Sequence, residues 1–261
     1  MNTIPCMLDV HSQAVVCASR LSSKGFDHIV ATNTLCAHKY ASHDINSRMF
    51  PVVGLFNDLL GKGLRSNIKP EILDQADIRS DLSDVERAVL FGGYVYAIAN
   101  APSYRSRYIE NISQDFPRIP LPGDPKLGPL LAELGLRLVR AHCLDLVVPA
   151  EEFSFRGSIG ESITSPRWKQ NILWISRSSS FNGVEDTVWE FQMAGYQVCK
   201  SWFSAGNRAG IQRRGSPITD TLVDQFRSVL WAIKETLKVR KMIDEVINQH
   251  GGWPDEFIMY Q

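Results

Sequence analysis

The chain has 261 residues, of which 44% are hydrophobic and 21% charged, and its formal net charge is zero. This is the make-up of an ordinary globular protein with a sizeable core, in one large domain or two small ones. It excludes a disordered or strongly basic chain, no apolar run reaches the roughly 18 residues that span a bilayer, and Met1-Asn2-Thr3-Ile4-Pro5 lacks the basic-then-apolar pattern of a secretory signal, so a cytoplasmic protein without a membrane partner is expected.

The first sixty residues read as β-rich. Ala14-Val15-Val16-Cys17 and His28-Ile29-Val30-Ala31 are short apolar runs bounded by polar residues and Gly25, and Phe50-Pro51-Val52-Val53-Gly54-Leu55-Phe56 is a third, its proline favouring an edge or a strand start. Helices then take over. Ser83-x-x-Glu86 is a capping box that opens a helix through about Asn100, ended by Pro102. A short helix over Ser103–Ile112 precedes the proline-broken stretch from Phe116 to Pro122. Leu127, Leu130, Leu131, Leu134, Leu138 and Val139 then mark a helix to about Leu144. Phe153 to Ile175 is β-like. Val188 to Phe203 reads as a helix, which would carry Trp189, Tyr196 and Trp202 into packing, with Gly195 permitting close approach. A Gly/Arg loop from Gly206 to Gly215 leads to a last helix over about Asp220–Gln249.

Chemistry-bearing motifs are mostly missing. The five cysteines Cys6, Cys17, Cys36, Cys143 and Cys199 contain no C-x-x-C pair, and Cys36, His38 and His43 fit no common zinc spacing, so neither disulfides nor metal is expected. No P-loop and no G-x-S-x-G occur. A cofactor-binding glycine turn after a strand and an Asn/Asp-Pro-Pro-aromatic loop, the two needs of an adenine methyltransferase, are absent as well. Gly92-Gly93 lies inside a helical pattern. His142 sits on the apolar side of its helix and reads as a hydrogen-bonded core histidine.

What remains is charge placement. Glu71 to Glu86 holds six acids against Arg79 alone, whereas Lys200 to Lys241 holds nine bases against three acids. A polyanion feels the local field within about 10 Å rather than the distant total. The loop 206–215 supplies Arg208, Arg213 and Arg214, which suit phosphates or guanine edges bidentately; a solvated turn is the alternative. On the last helix Arg227, Trp231, Lys234, Lys238 and Lys241 form one stripe beside the apolar Phe226, Leu230, Ile233 and Leu237, either a solvated face or one that tracks phosphates. Lys39, His43, Asn46 and Arg48 belong to a polar stretch with the side chains that read base edges, or to an ordinary surface loop. Asp115 to Pro122 reads first as a rigid connector anchored by Phe116, Ile119 and Leu121, with Arg118 able to reach a phosphate.

Several motifs stand in a characteristic order: Tyr94-x-Tyr96-Ala97, Ala101-Pro102-Ser103-Tyr104-Arg105-x-x-Tyr108, Asp115-Phe116-Pro117-Arg118-Ile119-Pro120-Leu121-Pro122, Gly135-x-x-Leu138-x-x-x-His142, Val188-Trp189-Glu190-Phe191-Gln192-x-x-Gly195-Tyr196-Gln197-Val198-x-x-x-Trp202, and Lys234-Glu235-Thr236. Together with Phe26-Asp27-His28-Ile29-Val30 and Phe50-Pro51, they resemble the C-terminal target-recognition (specificity) region of the type I single-polypeptide (type ISP) and related fused restriction–modification DNA methyltransferases, from about Cys17 to Ile247. The resemblance implies recognition of a sequence in double-stranded DNA for an adenine methyltransferase, with S-adenosylmethionine held by a methyltransferase domain or subunit and neither cofactor, metal nor catalytic residue in this chain. The expected fold is α+β: a small β-rich recognition part over 1–65, packed as one unit with a mainly helical specificity and docking part over 66–261 that carries a β-like insertion near 153–175 and a long C-terminal helix. A helical module that docks on a methyltransferase or motor domain, and an enzyme with an unrecognised pocket, are the other readings.

Overall fold

The computed structural model describes residues 66–112, 117–193, 196–203 and 213–258 with their side chains, and residues 113, 114, 204 and the strands between residues 3 and 65 by backbone alone. The fold is α+β, as expected. Among the described residues, seven short strands come first: β1 (Thr3–Pro5), β2 (Val15–Arg20), β3 (Phe26–Thr32), β4 (Thr34–Cys36), β5 (Arg48–Pro51), β6 (Val53–Asp58) and β7 (Gly61–Ser66). Then follow α1 (Pro70–Ala76), α2 (Asp84–Asn100), α3 (Pro102–Arg107), α4 (Ile109–Gln114), β8 (Leu121–Pro122) and α5 (Leu127–His142). Next come β9 (Phe155–Arg156), β10 (Arg167–Lys169), β11 (Ile172–Trp174), β12 (Ser180–Asn182), α6 (Asp186–Trp189), β13 (Gln192–Met193), β14 (Tyr196–Gln197) and α7 (Val198–Ser204). The 30-residue α8 (Asp220–Gln249) and β15 (Phe257–Ile258) close the chain. Two compact units are distinguished: residues 1–143 with 237–261, and residues 144–236.

In the first unit β2 is the centre strand of an antiparallel sheet ordered β3-β2-β5, β1 pairs with β4, and β6 and β7 form a hairpin. β3 lies against α2, α4 and α5. Ser83 caps α2 through the expected capping box: its hydroxyl accepts from the Glu86 amide while the Glu86 carboxylate accepts from the Ser83 amide at 3.1 Å, satisfying two amides that a helix start leaves open. α2 and α5 pair through glycine. A Cβ on Gly135 would fall 1.7 Å from the Gly93 carbonyl oxygen, and one on Gly93 would lie 2.5 Å from the Ala132 carbonyl oxygen. Around this crossing the fully buried Tyr96, Ile98, Leu127, Leu131 and Leu138 meet Val239, Ile243 and Ile247 of α8. Each large apolar side chain so buried contributes about 2 kcal/mol.

The proline-rich segment is held from beneath. Its prolines cannot donate, so its carbonyls become the anchoring points: the Tyr94 hydroxyl donates to the Pro120 carbonyl at 2.6 Å and the Tyr104 hydroxyl to the Arg118 carbonyl at 2.7 Å. Ile119 and Leu121 point into the core, and β8 pairs with β15. The rigid-connector reading holds for these residues; Phe116 lies outside the described ones. α3 begins at Pro102 without a side-chain cap of its own, and Asp244 of α8 supplies one by accepting from the Ser103 amide at 3.2 Å and from the Ser103 hydroxyl.

In the second unit the β-like segment forms a four-stranded antiparallel sheet ordered β10-β11-β12-β9. Lys169 pairs with Ile172 across a two-residue turn in which Gln170 and Asn171 take φ of 51° and 59°, both left-handed, as a tight hairpin of this length requires. Gly157, at φ 145°, leaves no room for a Cβ, which would come within 2.4 Å of the Ser179 Cβ. One face of the sheet buries Leu173 and Phe181, and the Phe181 ring meets Phe226 of α8 at 5.1 Å.

Two helix expectations need correction. The Ser103–Ile112 helix is two helices, α3 and α4, with Tyr108 between them at φ −107° and ψ 24°. Val188–Phe203 is not one helix but α6, the β13–β14 hairpin and α7. Its buried positions Val188, Phe191, Cys199 and Phe203 match helical spacing, but the chain between them pairs back on itself as β13 and β14, and the Gln197 side chain donates to the Trp189 carbonyl at 2.7 Å where α6 ends. Tyr196 on β14 is 58% exposed rather than packed, whereas Trp202 does pack, on Phe203 and Phe226. Gly195 lies outside the described residues. The short α1 had no counterpart in the expected elements.

Gly135→Ala is expected to destabilise the protein by about 2 kcal/mol or more, although alanine favours a helix by about 1 kcal/mol, because the backbone contact must open. A lowered urea midpoint measures this; an unchanged or raised one would mean that the helices do not meet there.

His142 behaves as the expected core histidine. It is hydrogen-bonded to the Tyr96 hydroxyl, and burial of the ring, with the Arg240 guanidinium nearby, pushes its pKa down from 6.5 to about 3. The unfolded chain takes up a proton near pH 6.5 that the folded chain refuses, so this group costs stability progressively as pH falls from about 6.5 toward 3, at up to about 1.4 kcal/mol per unit. His142→Gln should therefore show a flatter fall in denaturation midpoint between about pH 6.5 and 5 than the parent; identical slopes would contradict the assignment.

Candidate nucleic-acid interface

Arg213 and Arg214 open a turn whose Ser216 amide donates to the Arg213 carbonyl at 3.1 Å, with Gly215 supplying a φ of 84°. The turn is pinned to residues 160–163: the Gly215 amide donates to the Ile163 carbonyl at 2.9 Å, the Ile163 amide to the Ser216 carbonyl at 3.0 Å, and Ser162 bridges Pro217. The two arginines diverge. Arg213 lies over the Trp202 indole at 3.9 Å from its centroid and donates to the Trp202 carbonyl at 2.8 Å, and burial lowers its pKa. Arg214 is exposed on a turn whose backbone is braced.

The stripe on α8 divides in the same way. Arg227 donates to the carbonyls of Pro149, Ala150 and Glu152 at 2.9–3.2 Å, fastening the segment that enters the four-stranded sheet. Lys234 donates to both carboxylate oxygens of Glu152 at 2.8 and 2.9 Å, and Glu185 lies 3.7 Å away. The hydrogen bond to Glu152 holds its ammonium above the usual lysine range. Trp231 is half-buried, while Lys238 is exposed and Lys241 is 80% exposed with Glu245 at 3.7 Å. The carbonyl of Arg118 is engaged by Tyr104, and its side chain is exposed. Arg48 stands on the edge strand β5, paired with Ala18 through the backbone. Lys39, His43, Asn46 and Arg208 lie outside the described residues.

Sequence reasoning passed over four further cations. Arg156, Arg167, Lys169 and Arg177 are exposed on the four-stranded sheet and its β11–β12 turn. That turn is organised by Glu161, whose carboxylate accepts from the Ser178 amide and hydroxyl and from the Ser179 hydroxyl at 2.5–3.2 Å. These serines hold the carboxyl down at about 2. Alternation of Arg167 and Lys169 about Trp168 was the signal available in the sequence. The acid-rich stretch 71–86 is likewise engaged in structure: Asp74 and Asp84 hold the buried Arg87 at 2.9 and 3.5 Å, and Asp81 holds Arg79 at 2.8 Å.

The description of the type ISP C-terminal specificity domain family matches residues 3–239. Among solved structures, the chain is similar to the ATP-dependent type ISP restriction–modification enzyme LlaBIII bound to DNA, with 17% identity and a TM-score of 0.59 over 89% of this chain and 16% of that one. It is similar to DrdV in its DNA complex, with 16% identity and a TM-score of 0.61 over 90% of this chain and 25% of that one. A third similarity is to a nuclease-deletion mutant of the type ISP enzyme LlaGI in complex with a DNA substrate mimic, with 16% identity and a TM-score of 0.57 over 95% of this chain and 21% of that one. The chain thus spans a quarter or less of the length of each of these proteins. None of the curated proteins compared with it matches. Among the described residues, no helix is long and apolar enough to cross a membrane.

Lys234→Ala should lower stability by about 1 kcal/mol by leaving the half-buried Glu152 carboxylate without its cation, while Lys238→Ala should be near neutral. Thermal denaturation of the two variants checks this; equal effects would mean that the Glu152 pair contributes nothing.

Proposed function

The chain belongs to the type ISP C-terminal specificity domain family, and we propose on that basis that it recognises a target sequence in duplex DNA for a restriction–modification enzyme. Family membership over residues 3–239 is the observation that carries the reading. Its geometry suits the task. Phosphate contacts orient a protein on DNA and base edges supply the sequence, and Arg214 offers a guanidinium whose backbone is already fixed by the 160–163 segment. A preset cation loses less freedom on binding than one on a loose loop.

In this reading the chain is not itself a catalyst. It seats the duplex so that a methyltransferase domain or subunit, which brings S-adenosylmethionine and the loop that holds a flipped base, reaches an adenine in the target. Adenine follows from the likeness to the family's motifs, and the setting is the cytoplasm, where such an enzyme meets DNA.

A selection on random duplexes with the 261-residue chain, alone and with a methyltransferase partner, should enrich one sequence motif. Arg214→Ala should reduce the slope of log K against log salt by about 0.9 on every duplex. No methyl transfer and no S-adenosylmethionine binding are expected of the isolated chain. Absence of any enriched motif would refute the recognition role, and methylation by the pure chain would refute the division of labour.

A further inference from the structure

Cross-strand register sorts the side chains of the four-stranded sheet, because residues paired across strands share a face and successive residues alternate. Arg167 pairs with Trp174, Trp174 with Ser180, and Ser180 with Arg156; Lys169 pairs with Ile172, and Ile172 with Asn182. These seven residues form one face. Trp168, Leu173, Phe181 and Phe155 form the other, the one that buries Leu173 and Phe181 and meets Phe226. One side of the sheet is therefore packed inward, and the other, the outer side, carries three exposed cations at its edges and no carboxylate, with Ser180 buried between Trp174 and Arg156.

Arg156, Arg167 and Lys169 are exposed, and none of them has an ion-pair partner among the described residues. Of the acids near them in sequence, Glu152 is engaged by Lys234 and Glu161 by the serine turn, while Glu151 is exposed outside the sheet. Three uncompensated cations on a face of this size create a local positive potential in a chain whose total charge is zero. Their spacing is set by the sheet. Arg167 and Lys169 lie two residues apart on one strand, about 7 Å along it, and Arg156 stands three strands away, about 14 Å across the sheet. That width is close to the roughly 12 Å of a DNA major groove. Asn182 and the half-buried Trp174 lie between the two cationic edges. Gln170 and Asn171 at one turn, and Gly157 packed on Ser179 at the other end, keep the platform in one shape.

We infer that the outer face of this sheet straddles a groove of duplex DNA, with Arg167 and Lys169 on the phosphates of one strand and Arg156 on those of the other. The inference rests on the reading that the chain binds duplex DNA, and it identifies a contact surface that neither the Gly/Arg loop nor α8 provides.

The test is a salt titration of the whole 261-residue chain on mixed-sequence, fluorescently labelled duplexes, read by anisotropy. The variant R156A/R167A/K169A should lose about 2.7 units of slope in log K against log salt, about 0.9 for each phosphate contact, equally on every duplex. The charge-preserving R167K/K169R should keep the parental slope. If the triple variant unfolds, R156A and K169A alone decide the matter, each expected to lower the slope by about 0.9. If the parent binds and the alanine variants bind with the parent's affinity and slope, the sheet face is not the contact surface, and the recognition role stands on other residues. If the parent chain binds no duplex, alone or with a methyltransferase partner, the recognition role itself falls.

Discussion

The contact of Gly93 with Gly135 sets how closely α2 and α5 can approach, and much of the first unit is referred to that distance. With the Gly93 carbonyl occupying the place of a side chain on residue 135, the two helices meet backbone to backbone. Leu131 and Leu138 are thereby carried under α2, and β3 rests against both helices. The same helix α2 presents Tyr94 to Pro120 and Tyr96 to His142, so the proline segment and the end of α5 are both positioned from it. A change of a few tenths of an ångström at the crossing would be passed to each of these contacts, because close-packed interiors have little slack.

Charge is distributed by a comparable economy. Equal totals of acids and bases give, by themselves, no reason to expect a polyanion ligand. Folding changes the sum that matters, because many of the described acids are turned to local work: Asp74 and Asp84 on Arg87, Asp244 on the start of α3, Glu152 on Lys234, and Glu161 on three serine donors. The cations left exposed, among them Arg156, Arg167, Lys169, Arg177, Arg214 and Lys238, are the ones a passing phosphate would meet. Neutrality of the whole chain and positivity of a face are compatible once the acids are assigned their partners.

Which features were legible in the sequence follows from the range of the interactions that set them. Ser83 and Glu86 are three residues apart, and their capping box was read together with the helix it starts. The bounds of α8 and the burial of Phe226, Leu230 and Ile233 followed from a period maintained over many turns. The segment from Val188 to Phe203 misled because apolar residues at its two ends imitate helical spacing across a hairpin. Lys234 was read as a phosphate candidate because its partner Glu152 lies 82 residues earlier, beyond any local pattern. The sheet face was hidden for a similar reason. Arg156 and Arg167 come onto one face only through the β9–β12, β11–β12 and β10–β11 registers, and the β10–β11 turn uses Gln170 and Asn171, not the Asn-Gly pair that announces such a turn.

The order in which the chain visits its two units bears on how it is made. Residues 144–236 are inserted between the two segments of the first unit. The core around Leu131 and Leu138 is closed by Val239, Ile243 and Ile247, which leave the ribosome only after the whole inserted unit has been synthesised. During synthesis the inserted unit is complete while the first still lacks one wall, and domains tend to fold as they emerge. The earlier part of the chain is therefore the later to finish, and for that interval the apolar side of the α2–α5 pair is exposed to whatever else binds apolar surface in the cell.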